Sequence, residues 1–291
     1  MEQNIKVNWI DSVKSFLDIR SVTMLFLGFS AGLPILMIFS SLSLWLREAG
    51  VERSAVTYFS WAALGYSFKF IWAPLVDKLP LPFLTSGLGR RRGWLIFSQI
   101  LVVISISWMA LIDPSTGPDA LTSMAFAAVL LGFSSATQDI VVDAFRIESA
   151  PSDWQAILSA TYIAGYRVGM LTSGAGALFI ASYLGTSKVE YNYFAWRDTY
   201  LIMAGFMIVG IITGLLRPEP KVEKKRDEFH STKEYLLFFG LFLLVVSVFV
   251  SIFFISSDIA TSFKTYLNEL FSNKALSSFI VGTSRLSIAI I

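Results

Sequence analysis

The stretch that decides the fold is ALTSMAFAAVLLGFSSATQDIVVDAFR, residues 120–146. Its first nineteen residues carry no charge. At about 1.5 Å per residue, a helix of that length nearly covers the ~30 Å hydrocarbon layer of a membrane. Two carboxylates, Asp139 and Asp143, then appear four positions apart, followed by Arg146. The stretch predicts a membrane-spanning helix that carries acids near one end.

The composition fits a chain that is mostly embedded in lipid. Of 291 residues, 55% are hydrophobic and 15% are charged, whereas a soluble domain carries about 25% charged residues. The chain has no Cys and a single His, His230, which argues against disulfides, a metal site and a His-based triad. It also has no P-loop motif. We therefore predict a protein that is not an enzyme and needs no cofactor or nucleic acid.

Long apolar runs predict the number of membrane helices. Eight runs are long enough or nearly so, and the eighth ends at the last residue of the chain: 21–46, 54–76, 94–112, 121–143, 155–182, 198–216, 235–257 and 275–291. The loops on one side of these runs hold 14 Lys and Arg, and those on the other side hold 6. The first set is 1–20, 77–93, 146–154 and 217–234, and the second is 47–53, 113–120, 183–197 and 258–274. The excess of positive charge predicts a cytoplasmic N-terminus.

Four segments follow from this pattern. Residues 1–20 have amphipathic spacing and are predicted to lie on the cytoplasmic membrane surface. Residues 21–216 form a six-helix transmembrane bundle, and 217–234, with two prolines and a charge run, form a cytoplasmic linker. Residues 235–291 begin a second bundle, with helix seven and part of helix eight.

The first six runs contain a weak internal repeat. LGFSAG at 27–32 matches LGFSSA at 131–136, and LGYSFK at 64–69 matches AGYRVG at 164–169. The offsets are 104 and 100 residues, so the pattern favours a three-plus-three duplication. Because runs one and four cross the membrane in opposite directions, the two repeats would be inverted, as is typical of secondary transporters.

Five segments together resemble a known family. LGFSAGLPI, FKFIWAPLVDK, LGRRRGWL, ATQDIVVDA and GYRVGMLTSG, in this order, resemble AmpG-type permeases of the major facilitator superfamily. The resemblance implies an all-α membrane bundle of twelve helices in two halves, here with the N-terminal half complete and the C-terminal half incomplete. It also implies proton-coupled import of anhydro-muropeptides, which are cell-wall degradation products, across the bacterial inner membrane.

The intramembrane charges are the candidate proton-coupling and substrate residues. Asp139, Lys69 and Arg167 lie within the predicted spans, and Gln138 adjoins the acid. A charge at mid-membrane costs roughly 2.5–3.5 kcal/mol on insertion scales, so these side chains should face the bundle interior and pair. Lys69 or Arg167 is the expected partner of Asp139. A permanent structural ion pair is the alternative, and Arg167 could instead contact an anionic group of the cargo.

A second set of charges is predicted to act as a conformational latch. In the facilitator superfamily, a loop between helices two and three resembling G-x-x-x-D-x-x-G-R-R carries this role. The resemblance assigns the latch role here to two acids and three arginines. The acids are Asp77 and Asp143, and the arginines are Arg90, Arg91 and Arg92. A simple positive-inside anchor is the alternative for the arginines.

Aromatic residues in the same spans could stack on sugar rings, although packing explains most such residues. The candidates are Trp61, Tyr66, Trp72, Tyr162 and Tyr166.

Three other functions stay open at this stage. The chain could transport acetyl-CoA or another large anion, since a related branch shares the TQD stretch. It could also be a non-transporting fragment or a split half that needs a partner chain for the remaining helices. A membrane enzyme is the most distant alternative.

Overall fold

The computed structural model describes residues 14–52, 59, 62, 64–220, 232–255, 257–271, 276–277 and 279–284. Within these ranges every regular element is helical. The chain divides into two compact units, residues 1–225 and 226–291. The predicted surface segment 1–20 and the predicted linker 217–234 fall largely outside the described residues.

The first unit contains six long helices: α1 Ile19–Glu48, α2 Leu64–Lys78, α3 Arg90–Ala110, α4 Pro118–Ser149, α5 Ser152–Tyr183 and α6 Tyr193–Leu216. Within the described residues, α1 and α3 to α6 are long and apolar enough to cross a membrane. The described part of the second predicted run is α2 together with Phe59 and Ala62. The bundle is therefore all-helical, as the apolar runs predict.

The helices extend beyond the apolar runs at their polar ends. The sequence assigns 146–154 to a loop, but α4 continues to Ser149, six residues past the end of the apolar run at Asp143. Hydropathy marks only the part of a helix that meets hydrocarbon, whereas backbone hydrogen bonds carry the helix on into the interface. This extension places Glu148 on a helix, where it takes part in the site described below.

Glycines bring the backbones of two helix pairs into close contact. A Cβ atom at Gly28 in α1 would overlap the carbonyl of Tyr162 in α5, and one at Gly132 in α4 would overlap the carbonyl of Ala62 before α2. Gly132 follows Gly28 by 104 positions and Tyr162 follows Ala62 by 100, the same offsets as the sequence repeat. The α1–α5 and α4–α2 pairs therefore pack by the same contact, as a duplicated structural unit would.

Two helices widen locally where they face each other. A π-helical turn interrupts α1 at Met37–Ser41 and α5 at Thr172–Gly176. The hydroxyl of Ser41 donates to the carbonyl of Ser173 at 2.7 Å, which joins the two turns. Each π turn leaves carbonyls without their usual i+4 donor, and this side-chain bond satisfies one of them.

The end of the bundle away from Ile19 is closed by buried aromatic rings. The indoles of Trp45 and Trp196 stack with their centroids 5.8 Å apart, and Tyr200 packs on Trp45 at 4.7 Å. Glu48 accepts hydrogen bonds from Trp196 Nε1 at 2.7 Å and from Thr186 Oγ1 at 2.8 Å. These contacts tie the end of α1 to the α5–α6 connection and to α6.

The second unit contains α7 Thr232–Ile255 and α8 Ser257–Phe271. Residues 276–277 and 279–284 are also helical. The prediction that 258–274 is a loop is wrong over most of its length. Ala260 and Leu267, seven residues apart on one face of α8, are buried together with Val281. A polar segment with apolar residues at helical spacing can form an amphipathic helix. Such a helix contains charges, so the absence of a long uncharged run does not predict a loop.

Candidate functional site

An acid and a lysine meet between α2 and α4. Lys69 Nζ lies 3.8 Å from Asp139 Oδ2, so the two side chains form an ion pair too long for a hydrogen bond. The Asp139 side chain is 11% exposed and that of Lys69 is 38% exposed. Asp139 Oδ1 is buried and accepts no hydrogen bond of ordinary length in the described part of the chain, although the Tyr162 hydroxyl lies near enough to the carboxyl to act as a donor. The carboxylate is therefore only partly compensated, while the ammonium group can still reach other partners.

Three tyrosines surround this carboxylate. Tyr66 of α2 and Tyr162 and Tyr166 of α5 all lie close enough to Asp139 to interact with its charge. The rings of Tyr162 and Tyr166 are 6.0 Å apart. Three helices thus bring one acid, one base and three phenols into a single cluster, which we call the Asp139 cluster.

The predicted stacking residues differ in how they are held. Tyr66 donates to Ser135 Oγ at 2.6 Å, and Trp72 Nε1 donates to Thr137 Oγ1 at 3.1 Å. Trp72 also packs on Phe133, with ring centroids 4.6 Å apart. These contacts fix α2 against α4, so Tyr66 and Trp72 have a packing role whether or not they meet a sugar. Trp61 lies outside the described residues.

Arg167 lies apart from the acid. It is exposed, and Nη1 contacts the sulfur of Met170 at 3.8 Å. Among the described residues it forms no ion pair with Asp139, so Lys69 is the base next to the acid in this structure. The charge of Arg167 nevertheless acts on the hydroxyl of Tyr166 in the Asp139 cluster.

Gln138 points away from the Asp139 cluster. It is fully buried, and Nε2 donates to Ser30 Oγ of α1 at 3.1 Å. Its role in substrate contact stays a prediction, and its side chain points about 100° away from that of Asp139 around α4. Gln99 of α3 is fully buried too, and a Cβ atom at Gly210 of α6 would touch both Ser30 and Gln99. The two glutamines therefore belong to the polar interior of the bundle.

A second charged cluster joins the ends of α2, α3 and α4. Arg91 Nη2 bonds Asp77 Oδ1 at 2.5 Å, and Arg91 Nε bonds Glu148 Oε2 at 2.8 Å. A further bond from Nη2 to Glu148 Oε1 makes the Arg91–Glu148 pair bidentate. The side chain of Arg91 is only 5% exposed. We call Asp77, Arg91 and Glu148 the latch cluster.

The α4 acid in the latch cluster differs from the expected one. Asp143 is half exposed and pairs with Arg146 at 3.4 Å, one turn along the same helix. Glu148 takes the position proposed for Asp143. The additional turns at the C-terminal end of α4 place Glu148 beside Arg91. The sequence does not predict this contact, because it assigns 146–154 to a loop. The signal that could have revealed it is the continuing helix-compatible sequence FRIES at 145–149.

Arg92 and the segment after α6 complete this end of the bundle. The guanidinium of Arg92 donates to the carbonyls of Gly214 and Leu215 at 3.1 and 2.7 Å. The carboxylate of Glu219 accepts from the backbone amides of Arg91 and Arg92 at 2.7 and 3.0 Å. A cation therefore caps the C-terminal end of α6 and an anion caps the N-terminal end of α3, as helix dipoles favour.

Comparison with known families gives a match over most of the chain. Residues 21–291 match the description Major Facilitator Superfamily. The match begins two residues after the start of α1 and covers every helix described above.

Individual relatives carry transporter names. The chain is 41% identical over 199 residues to "Putative transporter AmpG 4" of Rickettsia felis, covering 68% of this chain and 45% of the relative. It is 37% identical over 208 residues to "Anhydromuropeptide permease" of Escherichia coli K12, covering 72% and 39%. It is 29% identical over 278 residues to "Putative transporter AmpG 3" of Rickettsia typhi, covering 84% and 63%. The first two matches span less than half the length of the relatives.

Proposed function

The chain belongs to the Major Facilitator Superfamily, a family of multi-pass membrane transporters, and from this premise we propose that it takes part in proton-coupled import of anhydro-muropeptides across the bacterial inner membrane. The cargo follows from the name of the Escherichia coli relative. The N-terminus is cytoplasmic in this proposal, because the loops on its side hold 14 of the 20 loop Lys and Arg.

The observation that carries the proton step is the incomplete pairing of Asp139. Its Oδ1 atom is buried and accepts no hydrogen bond of ordinary length in the part of the chain that the structure describes, and Lys69 lies 3.8 Å from the other oxygen. A buried carboxylate that loses its cation favours the protonated form. Asp139 can therefore hold or release a proton according to what Lys69 contacts.

This arrangement couples anionic cargo to a proton with the correct sign. Muropeptides carry carboxylates, and the half-exposed ammonium of Lys69 can bind one of them. Once Lys69 turns to the cargo, Asp139 is left unpaired and takes up a proton, so that cargo and proton bind together. Arg167, which is exposed on α5 near Tyr166, supplies a second cation for the same cargo.

The proton gradient is sufficient for this work. Net inward movement of one positive charge across a membrane potential of ~150 mV releases about 3.5 kcal/mol, which for a singly anionic cargo requires two protons per cycle. This free energy supports a cargo gradient of a few hundredfold.

The proposal is tested by neutralising two acids on one helix. In cells that lack their own muropeptide permease and express this chain completed to twelve helices, Asp139→Asn should abolish uphill uptake of labelled anhydro-disaccharide-peptide but leave downhill exchange. Asp143→Asn is the comparison variant, because Asp143 is half exposed and lies one turn along α4 from Asp139, where its charge also acts on Asp139. It should keep the ratio of uphill to downhill transport. Equal loss of both modes in both variants, or uptake of acetyl-CoA in preference to the disaccharide, would overturn the proposal.

A further inference from the structure

The start of α3 has no capping side chain of its own. Its N-cap residue is Gly89, and its first turn consists of Arg90, Arg91, Arg92 and Gly93. An N-cap side chain normally accepts a hydrogen bond from the second or third amide of its helix. The positive end of the helix dipole coincides here with three arginines, so this end of α3 favours an anion from elsewhere in the chain.

A glutamate from the segment after α6 takes the place of the missing side chain. The carboxylate of Glu219 accepts from the amide of Arg91 at 2.7 Å and from that of Arg92 at 3.0 Å, which are the second and third amides of α3. A Cβ atom at Gly89 would lie 2.5 Å from Cδ of Glu219, so the glycine leaves the room that the carboxylate occupies. Glu219 is therefore an N-cap that comes from a different part of the chain.

The segment that carries Glu219 is stiff. Arg217 and Glu219 each precede a proline, which restricts the preceding residue to extended conformations. Pro218 and Pro220 have a fixed φ angle themselves. The backbone of Arg217, with φ −90° and ψ 139°, is indeed extended. Because such a segment has few alternative conformations, it loses little entropy when it holds Glu219 against α3.

Arg91 is consequently held at both ends. Its amide bonds to Glu219, and its guanidinium bonds to Asp77 and Glu148 in the latch cluster. The fork of an arginine matches a carboxylate only in a narrow geometry, so fraying of the first turn of α3 would break the pair with Glu148. Arg92 follows the same pattern, since its amide bonds to Glu219 while its guanidinium bonds to carbonyls at the end of α6.

We propose that Glu219 is a positioning residue of the latch cluster, which closes only while the segment 217–220 lies against the start of α3. Along the chain this segment leads to the second unit. A movement that draws the segment away from α3 would remove the cap, fray the first turn and displace the guanidinium of Arg91 from Glu148. The consequence for transport rests on the proposed function, whereas the positioning of Arg91 does not.

A double-mutant cycle on the purified chain separates this role from that of a simple helix cap. The equilibrium constant of unfolding is measured by titration with sodium dodecyl sulfate for Glu219→Ala, Arg91→Gln and the double variant. In the Arg91→Gln background the latch is already lost, so Glu219→Ala should raise the constant only by the roughly fivefold that an N-cap contributes. In the parent chain the same change also loosens the latch, so the factor should be about twentyfold.

Two further measurements follow the cap itself. Glu219→Gln keeps an acceptor oxygen without the charge, so its unfolding constant should fall between those of the parent chain and Glu219→Ala. Hydrogen exchange followed by mass spectrometry should show the amides of Arg91 and Arg92 exchanging roughly tenfold faster in Glu219→Ala and less so in Glu219→Gln.

The matched control is Glu190→Ala. Glu190 is exposed in the connection between α5 and α6, and the hydrogen bonds described for it use its backbone. Its replacement should change neither the unfolding constant nor exchange at Arg91. Equal factors for Glu219→Ala in the two backgrounds would overturn the proposal, as would unchanged exchange at Arg91 or an equal effect of the control. Neither measurement involves uptake, so a failure of the proposed transport function would leave these results as they are.

Discussion

Replacing Glu148 with Gln should weaken the latch cluster by about 2–3 kcal/mol. The pair it forms with Arg91 is bidentate, with one bond of 2.8 Å, and the two side chains are 16% and 5% exposed. A hydrogen bond to a charged group contributes about 1.5–3 kcal/mol, and Gln keeps one acceptor while losing the charge. The loss should stay below the 3–5 kcal/mol of a fully broken buried pair, because Arg91 retains Asp77.

A double-mutant cycle with Arg91→Gln isolates this interaction. The free energy of unfolding is measured in mixed micelles by titration with sodium dodecyl sulfate, for each single variant and for the double variant. We expect a coupling free energy of about 2 kcal/mol between Glu148 and Arg91. The control cycle uses Asp143→Asn, whose partner is Arg146 and whose side chain is half exposed. Its coupling to Arg91 should stay below about 0.5 kcal/mol.

The comparison of the two cycles decides between Glu148 and Asp143 as the α4 acid of the latch. If Asp143→Asn coupled to Arg91 as strongly as Glu148→Gln, the position of Glu148 would not explain the latch. The same result would favour the earlier expectation based on the family resemblance. A coupling near zero in both cycles would show that Arg91 acts as a simple anchor for the membrane surface.

Two further predictions concern helix packing and topology. Gly165→Ala should destabilise the chain by about 1–3 kcal/mol, because the new methyl group would overlap the carbonyl of Leu25. Gly205→Ala, which has open space around it, should instead be neutral or stabilise α6 by about 0.5–1 kcal/mol, and thermal unfolding would compare the two. Cysteines placed at the exposed positions Ser115 and Ser152 should report opposite sides of the membrane in intact cells. Labelling of Ser115→Cys alone by an impermeant reagent fits a cytoplasmic N-terminus, and labelling of Ser152→Cys alone would reverse the topology.

The sequence predicts the spans well because lipid imposes a simple rule on them. A helix that crosses hydrocarbon needs a long uncharged run, and the runs at 21–46 and 155–182 lie within α1 and α5. The depth of Lys69 and Asp139 could be estimated in the same way, by counting residues from the ends of the runs. That count places both residues at similar depth, and the structure has them 3.8 Å apart.

The direction of a side chain around its helix is less accessible from sequence. Gln138 and Asp139 are neighbours in the chain, yet one lies in the polar interior beside Ser30 and the other lies beside Lys69. Predicting which of the two residues faces Lys69 requires the rotation of α4 about its own axis. Tertiary packing sets that rotation. The sequence does not predict Glu148 as a partner of Arg91 for a related reason, because the end of an apolar run does not mark the end of a helix.

The repeat within the first unit is symmetric in its packing but not in its chemistry. By the offsets of 100 and 104, the position equivalent to Lys69 is Gly169, and the position equivalent to Asp139 is Ile35. A Cβ atom at Gly169 would overlap the carbonyl of Phe29, so the α1–α5 pair has no room for a lysine there.

The corresponding place in the α4–α2 pair holds an ion pair with an unsatisfied carboxylate oxygen. Both helix pairs therefore pack backbone to backbone at their glycines, and the α4–α2 pair carries the charges at this level. In the proposed proton step Lys69 changes partners, and the Gly132 contact, which repeats the Gly28 contact between α1 and α5, holds α4 against α2 while it does so.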